Sequence, residues 1–433
     1  MQKSLIALSV MILGVGLISC TKTVVYHSGQ PNNIPSPTVP TTQPHLPPVT
    51  TTPNHVPNIS TGMARHYVNF SEWKQDFLYR ATQSGYPTYA LQRLLEQATY
   101  NTQVINLDRQ QPEFSKMPWA YAQSVQSKNK AGQQHLAQNR NLLMSLESQY
   151  GVPASIVTAI WGIESSYGAG TGTSNLPSAL ATLAYDGRRR DWAEQQLLAM
   201  ADLLQRGDLV WHHLKGSWAG GMGHTQFIPT TWQSFGVDGN GDGRRNPWAT
   251  ADALSSTANY LSKSGWVRGL NPYYEVTLPL GFDYKNVGAK RTFAQWQQLG
   301  LHFVADIPEL LNSEAELWLP AGANGPALLL SKNFDMIRVY NNSSSYALAV
   351  SMLAKGIVNK QAMHRSWPQN EQALSSSQVQ VLQQRLTSLG FDTKGTDGVL
   401  GSNTRRAFHQ WQIASGLLAD GFISVRTASP LLY

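Results

Sequence analysis

The stretch Tyr150-Gly151-Val152-Pro153-Ala154-Ser155-Ile156-Val157-Thr158-Ala159-Ile160-Trp161-Gly162-Ile163-Glu164-Ser165-Ser166-Tyr167-Gly168 decides the fold. Gly151 stops one helix, and Pro153 starts the next in its first turn, where a missing amide hydrogen costs nothing. Val157, Ile160 and Glu164 then recur at i, i+3 and i+7. That spacing sets a carboxyl on the apolar stripe of the helix and predicts Glu164 to be partly buried. A carboxyl in apolar surroundings loses hydration of its charged form, so its pKa rises and it can deliver a proton to a leaving oxygen near neutral pH. An isolated Glu more often caps a neighbour or pairs with an Arg. The rest of the chain decides between these readings.

Further helical periods occur at 89–98, 134–150, 153–164, 192–205 and 252–262. Residues 273–280 and 336–339 read as short strands, so the fold class is mainly α with minor β. At 433 residues the chain exceeds the size at which one core is usual, and two or more folded units plus linkers are expected. Its 42% apolar content, with 13 Trp and 17 Tyr, supplies a core and leaves aromatics for a binding surface. The net charge of +7 favours an acidic partner without naming it. Nucleic acid is not expected, because the densest basic run, Arg188-Arg189-Arg190, is short and not interleaved with aromatics.

At the N-terminus an apolar run from Leu5 to Ile18 follows Lys3; it has the length of a secretory signal core rather than of a membrane span. Cys20 is the only cysteine, which rules out an internal disulfide framework. Leu17-Ile18-Ser19-Cys20 resembles the lipobox of bacterial lipoproteins. The resemblance implies removal of residues 1–19 and acylation of Cys20. Thr21 stands where an Asp would signal inner-membrane retention, so attachment to the periplasmic side of a Gram-negative outer membrane is expected. Residues 20–64 are rich in Pro and Thr, and between Thr21 and Ser60 there is no Asp or Glu. Such a segment cannot build a core and reads as a tether, extended at ~3 Å per residue.

Several separated blocks between residues 65 and 365 resemble the membrane-bound lytic murein transglycosylase B family. They are Leu107-Asp108-Arg109-Gln110-Gln111-Pro112-Glu113-Phe114, the block from Trp161 to Gly168, the block from Leu180 to Arg189, Ser217-Trp218-Ala219-Gly220-Gly221-Met222-Gly223-His224-Thr225-Gln226-Phe227-Ile228-Pro229, and Tyr340-Asn341-Asn342-Ser343. The resemblance implies a lysozyme-like catalytic domain acting on the glycan strands of peptidoglycan. It gives Glu164 the role of single acid/base: protonating the glycosidic oxygen between N-acetylmuramic acid and N-acetylglucosamine, then drawing the proton from the muramoyl 6-hydroxyl to leave a 1,6-anhydro end. It also implies that Ser217, Gln226, Tyr121, Tyr260, Tyr340 and Asn341 line the saccharide groove. Their amides, hydroxyls and aromatic faces suit acetamido groups and sugar rings. A two-carboxylate glycosidase would need a second Asp or Glu. Asp186 and Asp191 are close in sequence, but they sit in an Arg-rich turn that reads as an ion-paired cluster.

No cofactor is required for this chemistry. Asp238-Gly239-Asn240-Gly241-Asp242-Gly243 fits the opening of a calcium loop, although Ala249 occupies the twelfth position. The resemblance implies a lengthened loop closed by Asp252, with a structural calcium held by Asp238, Asn240, Asp242, the Arg244 carbonyl and Asp252. None of the 11 His falls in a zinc spacing, so His212, His213 and His224 read as surface or groove residues.

After a polar link at 366–376, residues 375–433 place Val379, Leu382, Leu386 and Leu389 on one helical face before a Gly390 stop. With Asp397-Gly398, Ala407, Phe408 and Trp411 this unit is similar to the common three-helix peptidoglycan-binding domain, whose role would be to hold a monomeric enzyme on the wall. Two other readings stay open at this level: a hydrolase of lysozyme type, and a non-catalytic tether between outer membrane and wall.

Overall fold

The computed structural model describes residues 65–109 and 116–433. The leader, Cys20, the Pro/Thr tether and residues 110–115 lie outside the described residues.

The chain enters through α1 (Phe70–Gln83), where the Asn69 side chain caps the Glu72 amide. α2 (Tyr89–Gln97) and α3 (Thr102–Arg109) follow. Next come α4 (Pro118–Ser124), α5 (Asn129–Gln138) and α6 (Arg140–Tyr150). The expected single helix over 134–150 is thus interrupted at Asn139, which serves as the C-cap of α5 and the N-cap of α6. α6 ends as anticipated on Gly151 at φ 74°. Pro153 occupies the N-cap of α7 (Ala154–Ser165) rather than its first turn. Every residue of α7 except Ser155 and Glu164 is buried, so this helix is the axis of the domain.

α8 (Leu176–Asp186), α9 (Arg190–Gln205), α10 (Pro229–Phe235) and α11 (Thr250–Ser264) complete the helical part before the sheet. A small ribbon pairs β1 (Ser174–Asn175) with β2 (Lys215–Gly216). α8 and α9 pack with α1 and α2 in one core around Trp73, Phe77 and Leu197. α7 belongs to a second core, shared with α4, α6 and the later α14 (Ser344–Ile357).

Between α11 and α14 lies a five-stranded antiparallel sheet that sequence patterning indicated only at its first strand. It is built from β3 (Tyr273–Thr277), β4 (Lys290–Thr292), β5 (His302–Phe303), β6 (Glu314–Trp318) and β7 (Ala327–Ser331), in the order β4-β6-β7-β3-β5. α12 (Phe293–Gln298) covers it with Phe293 and Trp296, over Tyr274, Leu317 and Leu329. Residues 336–339, expected as a strand, lie instead within α13 (Lys332–Tyr340). The Ser331 side chain caps this helix at the Asn333 amide, and Met336 and Ile337 fill the α7 core. A four-residue apolar run fits either period, and the cap and tertiary burial settle it here.

The C-terminal unit has the expected three helices, α15 (Ser376–Ser388), α16 (Ser402–Ala414) and α17 (Val425–Leu432), around Leu382, Leu386, Phe408 and Trp411. Leu389 is 49% exposed and not part of this core, because it follows the last turn of α15. The buried Gln383 amide joins the helices, donating to Asp397 Oδ1, the Val399 carbonyl and Thr404 Oγ1 while accepting the Gly398 amide. The link expected to be merely polar is packed: Leu374 is fully buried and Trp367 stacks on Trp119 at 5.6 Å. Phe422 packs on Trp119 as well, and Arg405 donates to Ser344 Oγ at 3.1 Å. Among the described residues no helix is long and apolar enough to cross a membrane.

Candidate active site

α7 carries Glu164 as its last residue but one, on the side facing α14. The Tyr346 hydroxyl, in the first turn of α14, donates to Glu164 Oε1 at 2.5 Å. Ser343 positions that tyrosine by capping its amide at 3.2 Å. Tyr121 of α4 and Tyr340 of α13 also lie within electrostatic reach of the carboxyl, and burial together with its charge drives both phenols upward. Three tyrosines from three helices therefore enclose one partly buried carboxyl. Burial raises the Glu164 pKa to about 7, and the Tyr346 hydrogen bond opposes the rise only in part. Among the described residues no second carboxylate and no cation contributes to that shift. Asp186 is occupied by Arg109 at 2.5 Å.

The backbone beyond Glu164 is strained. Ser166 and Tyr167 adopt φ 51° and 62°, left-handed values unusual for side-chain-bearing residues. The Tyr167 ring holds this turn by filling the space beside two glycines. A Cβ on Gly162 would lie 2.5 Å from it, and one on Gly132 would lie 2.6 Å from its hydroxyl. That hydroxyl donates to the Lys128 carbonyl. The reversal frees the end of α7 to face the groove.

The Gly-rich stretch forms the next wall. Ser217 Oγ accepts the Gly221 amide at 2.8 Å, and Gln226, at φ 53°, donates to the carbonyls of Thr171 and Gly223. A Cβ on Gly221 would come within 2.7 Å of Gln226 Oε1 and 2.8 Å of Ser217 Oγ, so only glycine fits beside these two side chains. Tyr260 and Tyr340 pack edge-to-face with Phe227 and with each other, and Tyr340 donates to the Thr225 carbonyl at 2.5 Å. Asn341 follows directly, and its buried Oδ1 has no partner within the protein. Such an orphan acceptor suits a ligand N–H. The structure thus brings Tyr121 and Tyr340 to the carboxyl, sets Ser217 and Gln226 on either side of Gly221, and packs Tyr260 edge-on against Tyr340. Tyr346 was missed in the sequence because nothing in its spacing points to a glutamate 182 positions earlier.

His224, read as a surface or groove residue, is a brace. Its Nδ1 accepts the Trp161 indole at 3.0 Å, its Nε2 meets the Trp248 carbonyl at 3.0 Å, and its own carbonyl accepts Ser165 Oγ at 2.6 Å. His213 lies on the surface and stacks on Trp248.

In the proposed metal loop the carboxylates accept the loop's own amides. Asp238 binds those of Gly241 and Gly243, and Asp252 those of Gly239, Asn240 and Asn246. Among the described residues no three His, Cys, Asp or Glu side chains converge on one metal position, which departs from the expected ligand sphere. Asp238 and Asp242 lie on the loop and Asp252 in the first turn of α11, where burial raises its pKa; oxygen donors of this kind are those a hard cation takes.

Comparisons with known proteins place the chain in a family. A transglycosylase SLT domain model matches residues 69–355, and a peptidoglycan-binding domain model matches residues 375–429. Membrane-bound lytic murein transglycosylase B of Escherichia coli K12 is 34% identical over 223 residues, which are 48% of this chain and 58% of that protein. The match therefore spans less than two thirds of that relative's length. SltB3 from Pseudomonas aeruginosa, solved in complex with NAG-anhNAM-pentapeptide, superposes with a TM-score of 0.79 at 40% identity, covering 84% of this chain and all of SltB3. The Escherichia coli transglycosylase Slt35, solved with calcium, gives 0.59 at 27% identity, over 69% of this chain and 97% of Slt35. With two thirds of its length matched by the domain model and a carboxyl-bearing groove at the centre of that match, this chain belongs to the transglycosylase SLT domain family.

Proposed function

We propose that this chain is a lytic transglycosylase, cleaving the bond between N-acetylmuramic acid and N-acetylglucosamine in peptidoglycan without water and leaving a 1,6-anhydromuramoyl end. The observation that carries this reading is the isolation of Glu164: one carboxyl, near neutral in pKa, held by Tyr346 and influenced by no second carboxylate among the described residues. Tyr346 occupies Oε1, which leaves Oε2 to carry the proton. That proton passes to the glycosidic oxygen as the C1–O bond breaks. The resulting carboxylate then accepts the proton of the muramoyl 6-hydroxyl as O6 bonds to C1, so the acid is regenerated. Tyr121, Tyr340 and Asn341 bound the groove beside it, and Ser217 with Gln226 supply polar contacts for acetamido groups. The relative bound to NAG-anhNAM-pentapeptide carries the product type that this sequence of steps generates.

The test is mass spectrometry of fragments released from purified peptidoglycan. Anhydromuramoyl products that disappear with Glu164→Gln are expected. Reducing-end products would make the chain a hydrolase, and wall binding without fragments would make it a tether.

Two subsidiary readings accompany this one. Acylation of Cys20 would fix a monomeric enzyme to the periplasmic side of the outer membrane, and Cys20→Ser should then release it from the membrane fraction. The loop would hold a structural calcium through Asp238, Asn240, Asp242, the Arg244 carbonyl and Asp252. Added Ca2+ should raise the unfolding temperature in a concentration-dependent way, and Asp252→Asn should remove that response.

A further inference from the structure

His224 ties the end of α7 to the Gly-rich wall and to the segment that leads into α11. Its Nδ1 lies 3.0 Å from the Trp161 indole nitrogen and its Nε2 3.0 Å from the Trp248 carbonyl. An indole N–H can only donate and a carbonyl can only accept, so the two partners dictate the tautomer: Nδ1 is bare and Nε2 carries the proton. The main chain of the same residue is fastened too. Its amide donates to the Pro247 carbonyl at 3.0 Å, and its carbonyl accepts Ser165 Oγ, which in turn accepts the Gly168 amide at 2.8 Å. The ring lies on the bare Cα of Gly168, where a Cβ would stand 2.3 Å from the imidazole Cε1. Trp161 and Ser165 stand on either side of Glu164 in the chain, so these bonds hold the turn that aims the carboxyl.

This brace accepts one protonation state. An imidazolium carries a proton on both nitrogens, which sets Nδ1–H against the Trp161 N–H. Turning the ring over by about 180° about its χ2 torsion removes that clash but presents carbon to both partners. Swinging it out strips two hydrogen bonds and leaves the Gly168 turn without its support. The titratable groups on the surrounding elements are already engaged elsewhere. Glu164 on α7 is bonded to Tyr346, and Tyr167 and Lys128 hold the Lys128 carbonyl and the Ser166 hydroxyl. His135 on α5 packs on the Trp161 indole, His213 packs on Trp248, and Asp252 on α11 takes the amides of Gly239, Asn240 and Asn246. Among the described residues none of these side chains bonds the imidazole. Burial keeps its pKa below the usual histidine value of 6.5, and the Trp248 carbonyl opposes that only in part.

We propose that His224 is a positioning residue that holds the end of α7 only while its ring is neutral, so that uptake of a proton there shuts off cleavage and forms the acid limb of the rate profile. The link to cleavage rests on the function proposed above. Glu164 cannot supply this limb. It must be protonated when substrate binds, so acid fills its competent form, and Glu164 alone gives a rate that falls only as pH rises through about 7. With His224 the profile becomes a bell whose acid side lies below pH 6.5.

The test measures release of anhydromuramoyl fragments by the full chain across the pH range, alongside nitrogen NMR of its imidazole and indole groups. Below the acid midpoint the wild-type rate should fall about tenfold per pH unit, as for uptake of one proton. The His224 Nδ1 signal and the Trp161 indole signal should move together at that same midpoint. His224→Gln keeps an acceptor and a donor but has no proton to gain, so its rate, whatever its size at neutral pH, should stay level where the wild-type rate has dropped tenfold. His135→Gln removes the other imidazole packed on Trp161 and should keep the acid limb. An acid limb that persists in His224→Gln, or that vanishes in His135→Gln, would overturn the assignment. So would a His224 ring that titrates apart from the limb, a comparison made on the wild type and independent of whether the variant folds. A wild type that cleaves at no pH overturns the activity instead, and the joint midpoint of ring and indole then decides the brace: separate midpoints overturn it.

Discussion

Two glutamates occupy apolar helix faces in this molecule, and they do opposite things. Glu194 on α9 is 2% exposed, receives two hydrogen bonds from the Arg80 guanidinium at 2.8 and 2.9 Å and a third from the Trp73 indole at 2.9 Å. Glu164 on α7 receives one, from Tyr346. Burial is common to both, so burial alone does not make an acid. At Glu194 a cation and a donor replace the lost water, and the cluster joins α9 to α1. Glu164 lacks a cation, so its proton stays until about pH 7. The raised pKa of Glu164 thus reflects the cation its surroundings lack.

The largest expected effect lies at the poorly compensated site. Glu164→Gln should lower glycan cleavage by about a thousandfold or more, read as anhydromuramoyl product per unit time, while Glu194→Gln should leave the rate per folded molecule close to wild type. A comparable loss of turnover in both would erase the distinction. Stability should follow the reverse order. Glu194→Gln leaves Arg80 buried without its full partner and should cost about 3 kcal/mol in urea unfolding.

A smaller effect depends on pH. The folded pKa of Glu164 lies above its ordinary value of 4.5, so the folded state disfavours the ionised form. Stability is then complete below about pH 4.5 and is lost as pH rises through about 7. Glu164→Gln removes that loss, and should be more stable than wild type by about 3 kcal/mol at pH 8 but equal to it at pH 4. Paired unfolding curves at the two pH values measure this; equal differences at both would show that Glu164 is not desolvated. The smallest change is expected for Tyr346→Phe. Losing a donor to the carboxylate raises the Glu164 pKa further, so the alkaline limb of the rate profile should move to higher pH while the maximal rate falls about tenfold.

The helical skeleton and the position of Glu164 were legible because both are periodic signals: Val157, Ile160 and Glu164 recur on one stripe, and Gly151 marks the break before it. The C-terminal unit was legible for the same reason, through Leu382, Leu386 and Phe408. The sheet was not, since β4 and β5 contain three and two residues and their pairing is fixed only by tertiary register. The difference between Glu164 and Glu194 was equally hidden. Both lie on apolar stripes, and what separates them is Arg80, 114 positions away, and Tyr346, 182 positions away. Sequence spacing reports which face a side chain occupies, and the partners arriving from other elements decide its charge.

The turn beyond Glu164 has an evolutionary consequence. Gly132, Gly162 and Tyr167 share one volume, the ring of the third occupying the room left by the first two. No one of these positions can drift by itself: a side chain at Gly162 demands a smaller residue at 167, one at Gly132 demands room from Ile357 as well, and a smaller residue at 167 removes the contact that holds the reversal. The three sites should behave as a single heritable unit, with alanine at Gly162 harmful in this background and tolerated only where the tyrosine has already been lost.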